Sequence, residues 1–155
     1  EMLQSRGYSV APLEDRIYIA TKPEQPDIHL HLLNTSINKS TIVHYIGLFT
    51  TQNVKHAILV YRNSITSSVK KTLKNVVTCR IELFNENELK FNLTKHVLVP
   101  PHERVDPSQH PEVDRYPTIL KSDSVVRFYG FRTGDVIRIR RPLGIYYRVV
   151  RGERK

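Results

Sequence analysis

Seven histidines, one cysteine and fifteen carboxylates are the groups in this chain that could carry acid–base, nucleophilic or metal chemistry. Their spacing favours none of these. His29 and His31 alternate on one side of an IHLHLL run and could form a pair of metal ligands, but no third ligand is indicated, and alternation alone explains them. His96, His102 and His110 surround a proline-rich tract at intervals that match no metal-site pattern. Beside a VLVPP turn, a histidine is expected to bond the backbone and fix the loop. Cys79 falls on the apolar side of an alternating run, which predicts a buried, inert thiol. The carboxylates Glu14, Asp15, Glu24, Asp27, Glu82, Glu86 and Glu88 are scattered, whereas a phosphoryl-transfer centre needs carboxylates that converge on Mg²⁺. There is no P-loop and no GxSxG. Gly130 and Gly134 read as turn residues rather than as a phosphate cradle. No catalytic residue, metal, cofactor or small-molecule substrate is therefore assigned. A Mg²⁺-dependent nuclease built on Glu82 or Asp27 is the enzymatic alternative.

The basic groups are better organised. Arg62, Asn63, Thr66, Ser67, Ser68, Lys70, Lys71 and Lys74 fall around one strand-to-helix connection. A helix N-terminus with free N–H groups, hydroxyls and lysines nearby can contact a phosphate backbone without reading its sequence. An ordinary solvated helix face fits the same residues. Further on, Tyr129, Tyr146 and Tyr147 interleave with Arg127, Arg138, Arg140 and Arg148. That mixture suits either a base-stacking platform or a hairpin core with a protein interface, and tyrosine and arginine are preferred interface anchors.

The elements that must position these groups follow from periodicity. Residues 16–20 and 28–33 read as strands joined by a loop through Lys22-Pro23 and Gln25-Pro26. Ile42, Tyr45, Ile46 and Phe49 predict a helix over 39–51, and AILVY at 57–61 predicts a central buried strand. A second helix is expected over 67–74, with Thr66 as N-cap and lysines towards its C-terminal half. Residues 76–83 alternate, with Val77, Cys79, Ile81 and Leu83 inward and Thr78, Arg80 and Glu82 outward. The order β, β, α, β, α, β predicts a mixed sheet flanked by helices. A second unit is expected from Asn92, so the domains are 1–91 and 92–155. In it the prolines exclude a long helix over 100–118. A short helix is expected over 123–129, capped by Ser122 or Asp123 and stopped by Gly130. Asp135 to Arg141 and Ile145 to Val150 then form a hairpin, closed by a type I turn through Arg141-Pro142-Leu143-Gly144. The fold class is α+β, or mixed α/β.

The net charge is +9. Residues 127–155 hold nine Lys/Arg against Asp135 and Glu153, or +7, which leaves +2 for the rest. So basic an end suggests a polyanionic neighbour, either nucleic acid or an acidic protein surface. A single cysteine excludes an internal disulfide and points to a reducing, intracellular compartment. No apolar run approaches the ~20 residues of a membrane span, so no membrane partner is expected. The opening Glu1-Met2-Leu3 reads like the middle of a helix, as if the natural N-terminus lay further upstream.

Three blocks of the last third, NLTKHVLVPPH, YPTILKSDSVVRFYGFRTGDVIRIRRP and IYYRVV, occur in order. They resemble the C-terminal domain of the fifth, shared component of eukaryotic nuclear RNA polymerases, a domain that also has an archaeal counterpart. SRGYSV, HAILVYRNSITSSVKKTLK and IELFNENEL resemble blocks of the N-terminal jaw domain of the same family, which the archaeal counterpart lacks. The resemblance implies a non-catalytic polymerase subunit with a jaw domain and a C-terminal assembly domain that ends in a β-hairpin. Its partners would be the largest polymerase subunit, other polymerase subunits and downstream duplex DNA. Carried over by position, Arg62, Asn63, Thr66, Ser67, Ser68 and Lys70 would face DNA, with Lys71 and Lys74 extending the basic cluster. His96, Leu98, Val99, Pro100, Arg127, Tyr129, Gly130, Gly134, Arg140 and Tyr147 match assembly-domain motif positions. Three departures stand out: DPSQHPEVDRY replaces a charged helix, the terminal hairpin loop is cut short, and Ser67 stands where the family has proline. They suggest a distant member, of the kind a large DNA virus with its own polymerase would encode. The expected location is the nucleus for a cellular protein, and a cytoplasmic replication site or virion for a viral one. A stand-alone basic nucleic-acid-binding module is the alternative.

Overall fold

The computed structural model describes residues 1–152. The chain divides into two compact units, with the boundary between Phe91 and Asn92. The first unit is a five-stranded sheet in sequence order, β1(Ser9–Glu14), β2(Ile17–Lys22), β3(Gln25–Leu32), β4(His56–Tyr61) and β5(Arg80–Asn85). The first three strands form an antiparallel meander. From β3 to β5 the strands run parallel, each pair joined by a crossover helix, α2(Lys39–Thr51) and α3(Ser67–Lys74). A short helix α1(Met2–Ser5) precedes the sheet and α4(Glu86–Leu89) follows it.

The chemistry of β4 explains this arrangement. All six of its residues are buried, as a parallel strand covered on both faces requires. Ala57, Leu59 and Tyr61 join Ile42 and Phe49 of α2 and Val69 of α3 in one cluster, with Ile37, Val54 and Cys79. Side chains of this kind each stabilise by about 1.5–3 kcal/mol when removed from water. Both predicted helices form over the expected residues. Asn38 caps α2, its Oδ1 accepting from Thr41 N at 2.9 Å.

Three expectations need correction. β1 was not foreseen, because all six of its residues are exposed and the run shows no buried face. Gln25 and Pro26 open β3 rather than lying in the loop; the connection is the tight turn at Pro23-Glu24, where Glu24 adopts φ 60°. The strand expected over 76–83 spans Arg80–Asn85 instead. Helix α3 ends at Asn75, Val76 N still bonds Leu73 O, and Val77 is 95% exposed, so pairing with β4 starts only at Arg80 opposite His56.

The side of β5 taken as solvent-facing carries the unit's ion-pair cluster. Glu82 Oε2 pairs with Arg6 Nη2 at 2.9 Å, and its Oε1 lies 2.6 Å from His56 Nε2 and 3.1 Å from Arg80 Nη2. The Arg6 side chain is only 4% exposed and that of Glu82 14%. Burial pulls the Glu82 carboxyl upward. The His56 hydrogen bond and the Arg6 and Arg80 charges outweigh it and hold the carboxyl at about 2.

The second unit is a four-stranded sheet of order β6-β8-β9-β7, built from β6(His102–Val105), β7(Thr118–Leu120), β8(Val136–Arg141) and β9(Gly144–Arg151). Strands β8 and β9 form the expected hairpin, with Arg141 paired to Gly144. The proline-rich stretch forms no long helix but supplies β6, β7 and two single helical turns, Pro107–Gln109 and Val113–Arg115. Helix α5(Ser124–Tyr129) starts at Asp123, whose Oδ1 accepts from Val125 N and Val126 N, and stops at Gly130. Val126, Ile137, Ile139 and Val150 form the core, with Ile119 and Phe131 against it.

Two buried groups set the acid response of the first unit. His31 packs edge-on to Tyr45 and Phe49, and burial first, then the nearby His29, pushes it from 6.5 down to about 4. The unfolded chain thus binds a proton more readily, so stability present above pH 6.5 is lost as pH falls towards 4. For Glu82 the folded value lies below 4.5, so its contribution is present above pH 4.5 and is lost as pH falls towards 2. Denaturant unfolding followed across pH should show both windows. His31→Leu should flatten the upper one. Glu82→Gln should flatten the lower one and cost about 3–5 kcal/mol near neutrality, because it strands the buried Arg6 charge.

Candidate nucleic-acid and subunit interfaces

Because β3, β4 and β5 run parallel, the segments that follow them emerge along one edge of the first sheet. This is where open α/β sheets present their ligand sites. The edge is tied together by amides. Asn63, in the left-handed region at φ 59°, accepts from Asn85 Nδ2 through its carbonyl at 2.8 Å and reaches Ser36 Oγ at 3.4 Å. A parallel bridge joins Ile37 to Ile65. The N-termini of α2 and α3 both open onto this edge, and their macrodipoles favour negative charge there.

The eight candidate DNA-facing residues divide into groups. Asn63, Thr66, Ser67 and Lys70 are exposed or half-buried at or just after the edge, as is Ser68. Thr66 is the N-cap residue as expected, but its hydroxyl bonds Ser68 Oγ at 2.7 Å and makes no capping bond. Lys74 closes α3, eight residues and about 12 Å long, so it lies a helix length from Thr66. Lys71 shares the last turn with it. Arg62 is not a free cation. Its Nε donates to Glu86 Oε2 at 2.5 Å and its Nη2 reaches Oε1 at 3.4 Å. Sequence reading did not bring Ser36, Asn85 or Glu86 to this edge, since only the parallel pairing puts three distant loops together. The FNE wording at the end of β5 was the one local signal.

In the second unit the ten motif positions also separate by role. Gly130 at φ 70° and Gly134 at φ 95° set backbone turns that a side chain would strain. Tyr147 stacks on Tyr116 at 5.4 Å and packs against His110 at 4.6 Å, so its ring is committed within the unit. Tyr129 stacks on Phe131 at 5.2 Å. These contacts leave little of a base-stacking platform; the ring of Tyr146 remains partly exposed, with Arg141 over it. Arg127 is half-buried on α5. Arg138 and Arg140 both reach Glu103 Oε2, at 2.6 and 3.3 Å.

The loop between the Leu93–Lys95 turn and β6 behaves differently. Val97 and Leu98 are 92% and 81% exposed, while Val99 and Pro100 are more covered. The loop is nonetheless fixed. His96 Nδ1 accepts from Leu98 N at 3.2 Å, and His102 Nδ1 donates to the Pro100 carbonyl at 2.6 Å. Burial pushes the His102 imidazole down, which favours its neutral form. Arg140 N donates to Pro101 O at 3.1 Å, which ties the loop to the end of β8 that leads to the hairpin tip. At that tip Leu143 is 92% exposed. Among the described residues no three His, Cys, Asp or Glu side chains gather in a metal-holding arrangement. Glu82 is enclosed by Arg6, His56 and Arg80.

Both units are small α+β layers, the first with a polar strand-end edge and the second with an exposed apolar loop. Residues 91–150 match the family described as RNA polymerase Rpb5, C-terminal domain. The chain is 26% identical over 170 aligned positions to DNA-directed RNA polymerases IV and V subunit 5B of Arabidopsis thaliana, covering 90% of this chain and 78% of that one. It is 31% identical over 118 positions to DNA-directed RNA polymerases I, II, and III subunit RPABC1 of Caenorhabditis briggsae, covering 70% and 56%. The second unit thus matches the Rpb5 C-terminal domain, and the chain along most of its length is similar to Rpb5-type polymerase subunits.

The separation of roles in the second unit can be measured. Gly130→Ala should destabilise that unit by roughly 1 kcal/mol in chemical denaturation, since alanine must take up the left-handed conformation. Leu98→Asp should leave the unfolding midpoint almost unchanged, because its side chain is in water already.

Proposed function

We propose that this chain is a non-catalytic subunit of a multisubunit DNA-directed RNA polymerase. Its C-terminal unit docks on the largest subunit, and its N-terminal unit lies beside downstream duplex DNA. The observation that carries the reading is the coincidence of the family match over 91–150 with two aliphatic side chains, Val97 and Leu98, held in water by a loop that His96 and His102 keep rigid. Exposed apolar groups on a preorganised loop lose little entropy on docking, which suits a permanent subunit interface. His96 and Arg140 supply a polar rim for that surface. Val99 and Pro100 belong to the same loop, while Arg127, Tyr129, Gly130, Gly134 and Tyr147 shape the unit that carries it.

For the first unit, the edge carrying Asn63, Thr66, Ser67, Ser68 and Lys70 supports contact with a phosphate backbone: it offers amides, hydroxyls, helix N-termini and a lysine, the groups that bond phosphate oxygens. Lys71 and Lys74 extend the positive field along α3. In a eukaryotic cell this role belongs to the nucleus.

The test is recovery of the tagged chain from cells, with mass spectrometry of what accompanies it. The largest polymerase subunit should co-purify with the wild-type chain, and Leu98→Asp should reduce that recovery at least about tenfold, as expected when a charge enters a desolvated interface centre. A wild-type chain recovered as a monomer, without polymerase subunits, would overturn the proposal.

A further inference from the structure

We propose that Glu86 is an intramolecular mask on the DNA-facing edge: it occupies Arg62 as a phosphate mimic and so limits how tightly the edge holds a polyanion. The inference rests on the reading of this edge as the DNA-facing surface.

Arg62 follows β4 directly and Glu86 follows β5, so parallel pairing of these strands, with Tyr61 opposite Asn85, brings the two side chains together. The contact is two-pronged, from Nε and Nη2 of one guanidinium to the two oxygens of one carboxylate. That is the fork with which arginine grips a phosphate. Both partners are open to solvent, the Arg62 side chain 55% exposed and that of Glu86 40%. An exposed pair of this kind contributes little to folding. Stability therefore gives little reason for it, and a phosphate oxygen can compete for the guanidinium without unfolding anything. Arg62 immediately precedes Asn63, the residue whose amide ties hold the edge.

Glu86 acts in two ways. It neutralises the arginine in the free protein, and its charge repels an approaching phosphate. An edge that must stay next to duplex DNA while the duplex moves past gains from weak, non-committal contact, since each added phosphate contact raises affinity and steepens its salt dependence.

The experiment measures binding of a short labelled DNA duplex to the full chain by fluorescence anisotropy, at about 50 and about 200 mM salt. The proteins are wild type, Glu86→Gln, Arg62→Gln, the double variant, Lys70→Gln and Glu24→Gln. Glu24 lies in the β2–β3 turn, at the opposite end of β3, and controls for net charge alone. Glu86→Gln should bind severalfold tighter than both wild type and Glu24→Gln. Its advantage should shrink about threefold between the two salt concentrations, the signature of one extra phosphate contact. In the Arg62→Gln background the gain should fall to that of the Glu24→Gln control. A Glu86→Gln gain no larger than that of Glu24→Gln, or an equal gain with Arg62 absent, overturns the mask while leaving the DNA-facing reading intact if Lys70→Gln still weakens binding. If no variant binds duplex and Lys70→Gln changes nothing, the DNA-facing reading falls and takes the mask with it.

Discussion

Glu82 is the charge on which the first unit is balanced. It sits in a sheet face lined by Ile28, Ile58 and Phe84, none more than 3% exposed, where a lone carboxylate would be strongly unfavourable. Arg6, His56 and Arg80 satisfy it from three separate segments. With that charge settled, both faces of β4 can be dry. A strand buried on both faces pairs well in a parallel register, and parallel pairing needs crossover helices. The crossovers in turn deliver the loops after β3, β4 and β5 to one edge. Thus a buried ion-pair cluster on one face of the sheet underlies a polar surface along its rim, although no residue of the cluster belongs to that surface.

Much of this was legible in the sequence where one local signal dominated. The two helices over 39–51 and 67–74, the buried run of β4 and the stop of α5 at Gly130 each follow from periodicity or a cap. What escaped shares a physical cause. β1 has no buried face, so it carries no alternating pattern to read. β6 and β7 are four and three residues long and embedded among prolines, and their pairing is decided by β8 and β9 rather than by themselves. Glu82 looked solvent-facing because alternation reports which side a residue takes, not whether that side is covered. Its partner Arg6 lies 76 residues away.

The candidate sites repeat that lesson with charge in place of burial. A count of lysines and arginines concentrates the field at the chain's end, yet Arg138 and Arg140 converge on Glu103, and Arg148 donates to the Thr118 carbonyl. These arginines are occupied in bracing the hairpin. The +7 of residues 127–155 is real as a long-range field but is a poor guide to where a phosphate would be gripped. Arg62 shows the same point from the other direction, since its place in the basic cluster suggested availability and its carboxylate partner denies it.

The two units therefore suit contacts of opposite physical character. The loop at Val97-Leu98 offers dispersion and desolvation, which salt hardly weakens and which favour a long-lived interface. The strand-end edge offers amides, hydroxyls and a lysine without a preformed bidentate grip, which favours brief, salt-screened contact. A subunit fixed to a large assembly at one unit does not need affinity at the other. In the proposed arrangement attachment would hold the edge at high effective concentration beside any duplex in reach, so even millimolar intrinsic contacts would be populated. Strong phosphate binding there would add drag on a moving duplex without adding occupancy. A carboxylate set against the arginine of the edge is the electrostatic form such a limit would take.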